Sequence, residues 1–428
     1  MSNGEVKGTC KVRAVYDILC HMSSTSIGKS PLPSSQPQPS RLLPSLNRGT
    51  ILAFCLATFL WWFGLYLYLP VLPVYVQSVG GNLGMVGIVV ASYAIPQVLI
   101  RIPIGVWADR LSRRKLIIVA GMVFALLGAL GLGMTRDPWL LFLARFTTGI
   151  GASMWVVYSP YLAVFYPARD SGRAVVLLNF VQGSSLILAN LGGGFLAEVY
   201  GFSNTFFIAA VFGVLALLVL MVTREEPVKP ARRLTWQSFS AVVSHPLLVM
   251  VSAMGILLYF ASFAVLGFLP VYATQIGASK GMLGIIMMVN SGFSTISALV
   301  VGWLWDRLGY RNSIILGVLL RSVCLLSIPF ISNVLVLMAV QIGFGLGSGI
   351  AMNTIMALSI HGVQQENRAT AMGVFQAVYS IGMLLGPLLS GFIGSGLGLS
   401  AIFFTSAAIS IAVAVLPFIP RYSKHLAV

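Results

Sequence analysis

The chain has 428 residues, of which 58% are hydrophobic and only 8% are charged, and its formal net charge is +16. A soluble protein carries about 25% charged residues, so this composition excludes water as the main solvent of the fold. The basic excess raises the alternative of a nucleic-acid partner, but no nucleic-acid-binding motif accompanies it.

Twelve continuously apolar stretches are long enough to cross a bilayer, which takes about 20 residues each. They lie at about residues 51–76, 83–106, 115–134, 138–162, 174–199, 203–222, 247–271, 281–304, 313–330, 333–359, 369–393 and 397–419. Strands of a membrane β-barrel would alternate apolar and polar residues instead. We therefore predict an all-α membrane protein with twelve transmembrane helices.

The positions of the basic residues predict the topology. With the N-terminus inside the cell, Arg136 and Lys280 are the only Lys or Arg residues in external loops. This asymmetry is the positive-inside rule, and it places both termini in the cytoplasm. We expect a multi-pass protein of the cell (plasma or inner) membrane, with the lipid bilayer rather than nucleic acid as partner of the excess charge.

The chain before the first span is rich in Ser, Pro and Gln, so residues 1–48 are predicted to form a disordered cytoplasmic tail. The spans that follow contain a repeat: Gly105-Val-Trp-Ala-Asp109-Arg110 recurs as Gly302-Trp-Leu-Trp-Asp306-Arg307, 197 residues later (302 − 105 = 197). The repeat predicts two homologous six-helix halves. Their bounds are 49–222 and 246–420, with a cytoplasmic linker at 223–245 and a cytoplasmic tail at 421–428.

The loop after the second span resembles the signature of the major facilitator superfamily of secondary transporters, over about residues 49–420 of the chain. Gly105, Ala108, Asp109, Arg110, Arg113, Arg114 and Lys115 match that signature, and Ser112 departs from a usual glycine that Gly309 restores in the second copy. The resemblance implies that the loops latch the two halves together, and we expect Gly105 to let a neighbouring helix approach closely. The predicted gating residues are Gly105, Asp109, Arg110, Arg113, Arg114, Gly302, Asp306 and Arg307.

Three arginines lie within spans, where an arginine needs a partner, water or access to the interface. Arg145 and Gly149 match the family's Arg-x-x-x-Gly motif, which the resemblance associates with proton coupling or with holding the cavity's shape. Arg101 is expected to reach or pair near the cytoplasmic mouth and to assist coupling. Arg321 is expected to snorkel.

None of the ten acidic residues lies in the middle of a span. Three interpretations stay open: Asp109 with Arg145 carries proton coupling, the substrate is neutral or anionic, or no ion is coupled. A strict preference for dications is not expected, because a dication would need an intramembrane carboxylate.

Gly382, Gly386, Pro387 and Gly391 in the eleventh span resemble the family's glycine-proline motif, which permits helix bending and close contact. In antiporters this motif belongs to the fifth span, which here carries the weaker Ala189-Asn190.

Polar and aromatic residues in otherwise apolar spans are the predicted substrate contacts. They are Tyr66, Tyr93, Gln97, Tyr158, Asn179, Gln182, Asn290, Asn353, Gln376 and Tyr379. The alternatives are interhelical hydrogen bonds for the amides and, for Trp61 or Tyr68 nearby, an interfacial aromatic belt.

Together these features predict a secondary active transporter of a small organic molecule, working by alternating access, with proton-coupled efflux as the favoured mode. The alternatives are uptake or facilitated transport of a neutral or anionic metabolite, and a transport-inactive sensor or scaffold. No metal-binding spacing or Ser-His pair indicates an enzyme, and we expect no cofactor and no metal. We expect a monomer.

Overall fold

Long apolar helices fill the part of the chain that the computed structural model describes, which is residues 48–111, 113–166, 171–225, 236–364 and 367–418. Within these residues, 11 helical stretches are long and apolar enough to cross a membrane. One of them, Lys280–Phe330, has 51 residues and contains two spans. The all-α prediction of twelve spans is therefore confirmed, since helices satisfy their own backbone hydrogen bonds in an apolar solvent.

The bounds of the helices follow the predicted spans closely. In the first half, span 1 is Arg48–Leu67 with Leu72–Ser78, span 2 is Leu83–Ser92 with Ala94–Arg110, span 3 is Lys115–Met134, span 4 is Pro138–Ser153 with Met154–Val157 and Tyr158–Ala163, span 5 is Ser171–Tyr200 and span 6 is Phe202–Val222. In the second half, span 7 is Pro246–Gln275, spans 8 and 9 run through Lys280–Ser327 with Ile328–Phe330, span 10 is Val334–Leu358, span 11 is Arg368–Leu397 and span 12 is Leu399–Val415 with Leu416–Phe418.

The predicted tails and part of the predicted linker lie outside the described residues. These are residues 1–47 of the first tail, 226–235 of the linker and all of 421–428. The described part of the linker forms a short helix, Trp236–Val243, in which Val242 is buried.

Side-chain caps begin four of the spans, and they occur in two equivalent pairs. Asn82 and Ser279 cap spans 2 and 8 by accepting a hydrogen bond from a backbone N–H of the first turn. Asp137 and Asn333 do the same for spans 4 and 10. Because an oxygen at this position satisfies an otherwise free N–H, the caps fix where these helices begin.

Gly309 separates spans 8 and 9. Its φ of 73° lies in the left-handed region, which glycine adopts without a steric penalty. The glycine that the second copy of the loop motif keeps is therefore the residue that turns the chain between the two helices.

Paired glycines bring helices of one half together. A Cβ added to Gly151 of span 4 would lie 2.5 Å from the carbonyl oxygen of Gly121 in span 3. In the second half, a Cβ added to Gly347 of span 10 would lie 2.6 Å from that of Gly317 in span 9. Small residues permit such close contact between membrane helices, so the internal repeat is also a repeat in packing.

The two halves meet along two seams, which we call the first seam (spans 2 and 11) and the second seam (spans 5 and 8). In the first seam, a Cβ added to Gly87 would lie 3.0 Å from the Cα of Gly391. In the second seam, a Cβ added to Gly284 would lie 3.0 Å from the Cα of Gly194. Both pairs keep the offset of 197, so the repeat relates one seam to the other.

The described glycines of the seam helices pack closely toward one end of the bundle and not toward the other. We call these the outer end, where spans 1 and 2 are joined, and the inner end, after the topology that the charges predict. The close glycine contacts lie toward the outer end. Toward the inner end, nothing lies within 4 Å of a Cβ added to Gly302 or Gly373, and a Cβ on Gly105 would meet only Val156, at 4.0 Å. The expected close approach of a helix at Gly105 is therefore not present in this conformation.

Candidate functional site

Backbone N–H groups donate hydrogen bonds across both seams at the outer end. In the second seam, Gly281 N donates to Glu198 Oε2 at 2.6 Å, and the Ser279 hydroxyl donates to the same oxygen at 2.9 Å. In the first seam, Gly84 N donates to Ser395 Oγ at 2.9 Å. These bonds are equivalent under the offset of 197, but one acceptor is a carboxylate at a helix N-terminus, where negative charge is favoured, and the other is a hydroxyl.

Arg101 crosses the first seam farther toward the centre and is 5% exposed. Its Nη2 donates to the side-chain oxygen of Gln97, one turn earlier in span 2. Its Nη1 reaches the Gln376 carbonyl oxygen and Ser380 Oγ in span 11, each at 3.4 Å. Arg101 therefore does not extend along its own span to the inner mouth, because its partners lie in the facing span, and pairing near the mouth stays a prediction. Arg101 links one half to the other.

Arg145 is held within the first half, where it is 3% exposed. Its guanidinium lies 4.2 Å from the ring centroid of Tyr93 and 5.5 Å from that of Tyr68. Its Nη1 donates to the Tyr68 hydroxyl at 3.2 Å and to Thr148 Oγ1 at 3.3 Å. A Cβ on Gly149 would collide with the backbone of Tyr93, so the glycine of the motif lets span 2 approach span 4 and brings the ring under the arginine.

Aromatic side chains surround these two arginines. Tyr379 of span 11 stacks on Tyr259 of span 7, with ring centroids 3.9 Å apart. In the first half, Trp62 stacks on Tyr66 at 4.9 Å and meets Trp155 edge-on at 5.2 Å. The group therefore draws rings from spans 1, 4, 7 and 11, which belong to both halves.

Three aromatic residues for which the sequence suggested a substrate contact or an interfacial belt are buried. Tyr158 is 0% exposed and stacks on Trp61, whose own exposure is 1%, with centroids 5.1 Å apart. Tyr68 is also 0% exposed. An interfacial aromatic belt is therefore excluded for Trp61 and Tyr68, which pack inside the bundle.

The remaining predicted amides lie in different surroundings. Gln182 is half-buried in span 5. Asn290 Nδ2 donates to Gln341 Oε1 at 3.0 Å, and Asn353 Nδ2 donates to Ser297 Oγ at 3.3 Å, which ties spans 8 and 10 together. Asn179 is exposed.

The predicted gating residues lie toward the inner end. The backbone of Asp109 belongs to span 2, but its side chain lies outside the described part of the structure. Arg114 is 8% exposed and its Nη1 donates to the Pro160 carbonyl oxygen at 3.1 Å, which ties the loop to span 4. The other described side chains of this set are exposed, namely those of Arg110, Arg113, Asp306 and Arg307.

The glycine-proline motif forms close contacts on two sides of span 11. A Cβ on Gly382 or Gly386 would collide with the backbone of span 7, at Ile256 and Phe260. On the facing side, the Pro387 carbonyl and Gly391 meet span 2 at the first seam. Helix Arg368–Leu397 continues through Pro387, so the structure assigns these residues to close packing, and bending stays a prediction.

Arg321 does not snorkel. It is 1% exposed, and its Nη2 donates to Ser262 Oγ at 3.1 Å and to the Leu258 carbonyl oxygen at 3.4 Å, both in span 7. Its guanidinium lies 5.2 Å from the ring centroid of Phe344 in span 10. The expectation fails because a glycine pair packs span 9 so closely on span 10 that the side chain lies inside the second half.

Sequence reasoning singled out neither Glu198 nor Ser380 as functional. Glu198 lies near a span end and Ser380 is one small polar residue among many, so neither is conspicuous alone. Applying the offset of 197 would have paired Glu198 with Ser395, although not with the N–H groups that they bind. Among the described residues, no group of three His, Cys, Asp or Glu side chains could hold a metal ion.

Comparisons with known proteins agree with this architecture. Relatives similar over most of their length include an uncharacterized MFS-type transporter of Methanocaldococcus jannaschii (23% identical; 85% of this chain and 96% of the relative) and the multidrug resistance protein MdtG of Proteus mirabilis (24%; 81% and 91%). The multi-drug resistance efflux pump PmrA of Streptococcus pneumoniae is 24% identical, over 81% of this chain and 91% of that protein.

Solved structures share the fold at lower identity. A bacterial homolog of the human lysosomal transporter Spinster, in an inward-facing conformation, superposes with a TM-score of 0.73 at 17% identity, covering 90% of this chain and 96% of that one. A POT family transporter in complex with 5-aminolevulinic acid gives 0.75 at 14% identity, covering 89% and 97%.

The profile of the Major Facilitator Superfamily matches residues 54–272 and again 251–426. The first match runs from span 1 into span 7, the second begins in span 7, and together they cover most of the chain. The chain therefore belongs to the Major Facilitator Superfamily and is a multi-pass membrane transporter, not an enzyme.

Proposed function

We propose that the protein is a secondary active transporter that exports a small organic molecule in exchange for protons by alternating access. The observation that supports this proposal is the pair of repeat-related seams, whose described glycines pack closely toward the outer end and have open space around them at Gly105, Gly302 and Gly373 toward the inner end. Two halves related by a repeat can rock about a central site. In that motion the outer glycine contacts would open while the inner ends approach.

The proposed substrate site is the central group of aromatic residues and amides, with Arg101 and Arg145 beside it. It draws on both halves and lies between the outer and the inner ends of the seams, where rocking alters its access. Relatives named for multidrug resistance support export of an organic molecule. We assign coupling to Arg145 with Gly149 and Arg101, and gating to the Asp109 and Asp306 loops.

The proposal also covers the location, topology, oligomeric state and partners of the protein. The cell membrane is its location, both termini are cytoplasmic, and a monomer suffices because one chain supplies both seams. Protons and the organic substrate are its small-molecule partners, together with the lipid bilayer.

Uptake or facilitated transport of a neutral or anionic metabolite is the second candidate. The sequence supports it, because no Asp or Glu lies in the middle of a span and a cation would find no carboxylate there. A transport-inactive sensor or scaffold is disfavoured, since a scaffold has no physical need for buried arginines between two mobile halves.

Everted vesicles test these candidates. A panel of fluorescent dyes with positive, zero and negative charge is added, and dye movement is followed with and without an uncoupler. Proton-coupled export predicts accumulation that the uncoupler abolishes and that Arg145→Gln removes, while Arg136→Gln in an exposed loop retains it. Saturable movement that ignores the uncoupler would contradict proton coupling, and no saturable movement of any dye would contradict transport.

A further inference from the structure

The centre of the bundle holds hydrogen-bond donors without acceptors. Among the described residues, the buried Nε atoms of Arg101 and Arg145 and the indole Nε1 of Trp62 have no hydrogen-bond partner. An arginine or an indole can only donate, and a buried donor without a partner is unfavourable. In the same described part of the chain, Arg321 Nε and Trp61 Nε1 also lack a partner, so the donors at the centre fit a ligand that supplies acceptor atoms only together with the charge and the rings around them.

The charge of the centre is also uncompensated by the described side chains. The hydrogen-bond acceptors of Arg101 are Gln97, Gln376 and Ser380, all neutral, and those of Arg145 are hydroxyl groups. No acidic residue of the sequence lies mid-span. Cations held in a membrane interior are stabilised by anions, so an anionic ligand fits this site and a cationic ligand does not.

Arg101 is the arginine better able to exchange partners. Arg145 lies over the ring of Tyr93 at 4.2 Å and binds its hydroxyl partners at 3.2 and 3.3 Å. Arg101 is 6.0 Å from the ring centroid of Tyr379, and its two bonds to span 11 are 3.4 Å long. A charged acceptor would form shorter and stronger bonds than these neutral ones.

Aromatic rings next to Arg101 define the rest of the ligand. Tyr379 and Tyr259 form a stacked pair beside its guanidinium. Sites lined by aromatic side chains with a few polar groups suit a flat apolar body with one polar end.

We propose that the central site binds an aromatic organic anion, whose carboxylate or sulfonate accepts hydrogen bonds from Arg101 in the field of Arg145. The aromatic body lies against Tyr379 and Tyr259. This inference rests on the proposed transport function and names its substrate class. Because the anion replaces the bonds from Arg101 to Gln376 and Ser380, binding also releases a link between the two halves.

Three probes of one shape test this assignment on the purified full chain: 2-naphthalenesulfonate, its neutral sulfonamide, and the cation 2-naphthylmethylammonium. Binding to the folded state raises the unfolding temperature. We expect 2-naphthalenesulfonate to raise it at concentrations where the other two do not. Arg101→Gln should weaken sulfonate binding by on the order of 10- to 100-fold, as for a lost charge-assisted hydrogen bond, while Arg136→Gln keeps it.

If Arg101→Gln does not fold, the preference of the unaltered chain for the sulfonate over the other two probes still tests the proposal. Arg101→Lys, which keeps the charge, should retain part of the affinity for 2-naphthalenesulfonate. Equal or tighter binding of the sulfonamide or the cation would overturn the proposal, as would binding of none of the probes. Unchanged sulfonate affinity in folded Arg101→Gln would also overturn it.

Flux in proteoliposomes separates this inference from the transport function. Saturable movement of 2-naphthalenesulfonate supports both. Saturable movement of the cation alone keeps transport and overturns the anion assignment. Sulfonate binding with no flux of any probe keeps the site and contradicts transport.

Discussion

Spans 2 and 4 of the first half and spans 8 and 10 of the second half meet through the same backbone contact. A Cβ on Gly149 would collide with the backbone of Tyr93, and a Cβ on Gly345 would collide with the backbone of Asn290. On this shared frame the side chains differ. Arg145 lies over Tyr93 in the first half, whereas an amide pair occupies the equivalent place in the second.

The second half carries its buried charge on another helix. Gly151 packs against Ala125 of span 3, and the equivalent Gly347 packs against Arg321 of span 9. Arg321 reaches into span 7, as Arg145 reaches Tyr68 in span 1. The repeat thus preserves glycine contacts between backbones, while Arg145 and Arg321 lie at positions that the repeat does not relate.

The largest effect is expected at Arg321, because the equivalent residue of the first half is the much smaller Ala125. Arg321→Ala should lower the free energy of unfolding by about 2–5 kcal/mol, as for deletion of a large buried side chain. Arg321→Met should recover most of the loss, because an apolar side chain of similar volume often replaces a buried charge without cost. Thermal unfolding in nanodiscs measures both. Equal losses for Ala and Met would show that the charge, not the volume, stabilises the second half.

A smaller effect should distinguish the two equivalent polar pairs. Arg145→Ala is expected to cost about 1.5–3 kcal/mol, as for hydrogen bonds from a charged donor, and Gln341→Ala about 0.5–1.5 kcal/mol, as for neutral ones. Dye flux should be lost in the first variant and retained in the second. If both variants lose flux equally, the division of labour between the halves is refuted.

The seams should respond to added volume at the outer end only. In Gly284→Leu the new side chain meets the backbone of Asn190 and Gly194, and overpacking of this kind costs about 1–3 kcal/mol. Gly302→Leu is a matched control for stability alone, since nothing lies within 4 Å of a Cβ there in this conformation and Gly302 is itself a predicted gating residue. We expect loss of transport in the first variant and a stable, folded chain in the second. Normal transport by Gly284→Leu would exclude a closed second seam from the cycle.

The smallest effect is expected at the hydrogen bonds that join the seams at the outer end, Gly281 N to Glu198 and Gly84 N to Ser395. Glu198→Gln keeps an acceptor for Gly281 but removes the charge at the start of span 8, which should weaken closure by about 0.3–1 kcal/mol. Ser395→Thr, at the equivalent position in the first seam, keeps a hydroxyl acceptor and changes no charge. The measurement is the population with a closed outer end, from spin-label distances between Ser78 and Gln275. A shift confined to the Ser395 variant would contradict a role for the Glu198 charge.

The sequence sufficed for features that depend on position along a helix. Continuous apolar runs predict the spans, and the offset of 197 predicts that Gly87 and Gly284 are equivalent, because both follow from spacing alone. The Arg145–Gly149 spacing likewise predicted a motif whose glycine permits the arginine's contact with Tyr93.

The partners of buried side chains were beyond sequence reasoning. Arg321 was expected to snorkel because a lone arginine in an apolar run usually reaches the interface, and Arg101 was expected to reach the cytoplasmic mouth or pair near it. Which neighbour faces each one depends on how closely glycines let helices approach. The contact of Glu198 with Gly281 joins two spans of different halves, and periodicity within one span carries no information about it.

The central requirement of alternating access is that the outer ends of the two halves move apart when the inner ends move together. Spin labels at Ser78 and Gln275 report the outer end, and labels at Leu111 and Leu308 report the inner end, in a background with the four cysteines replaced by alanine. Both pairs consist of equivalent positions, 197 residues apart. Gly284→Leu, which obstructs outer closure, should lengthen the outer distance and shorten the inner one. A longer outer distance with an unchanged inner distance would contradict the account.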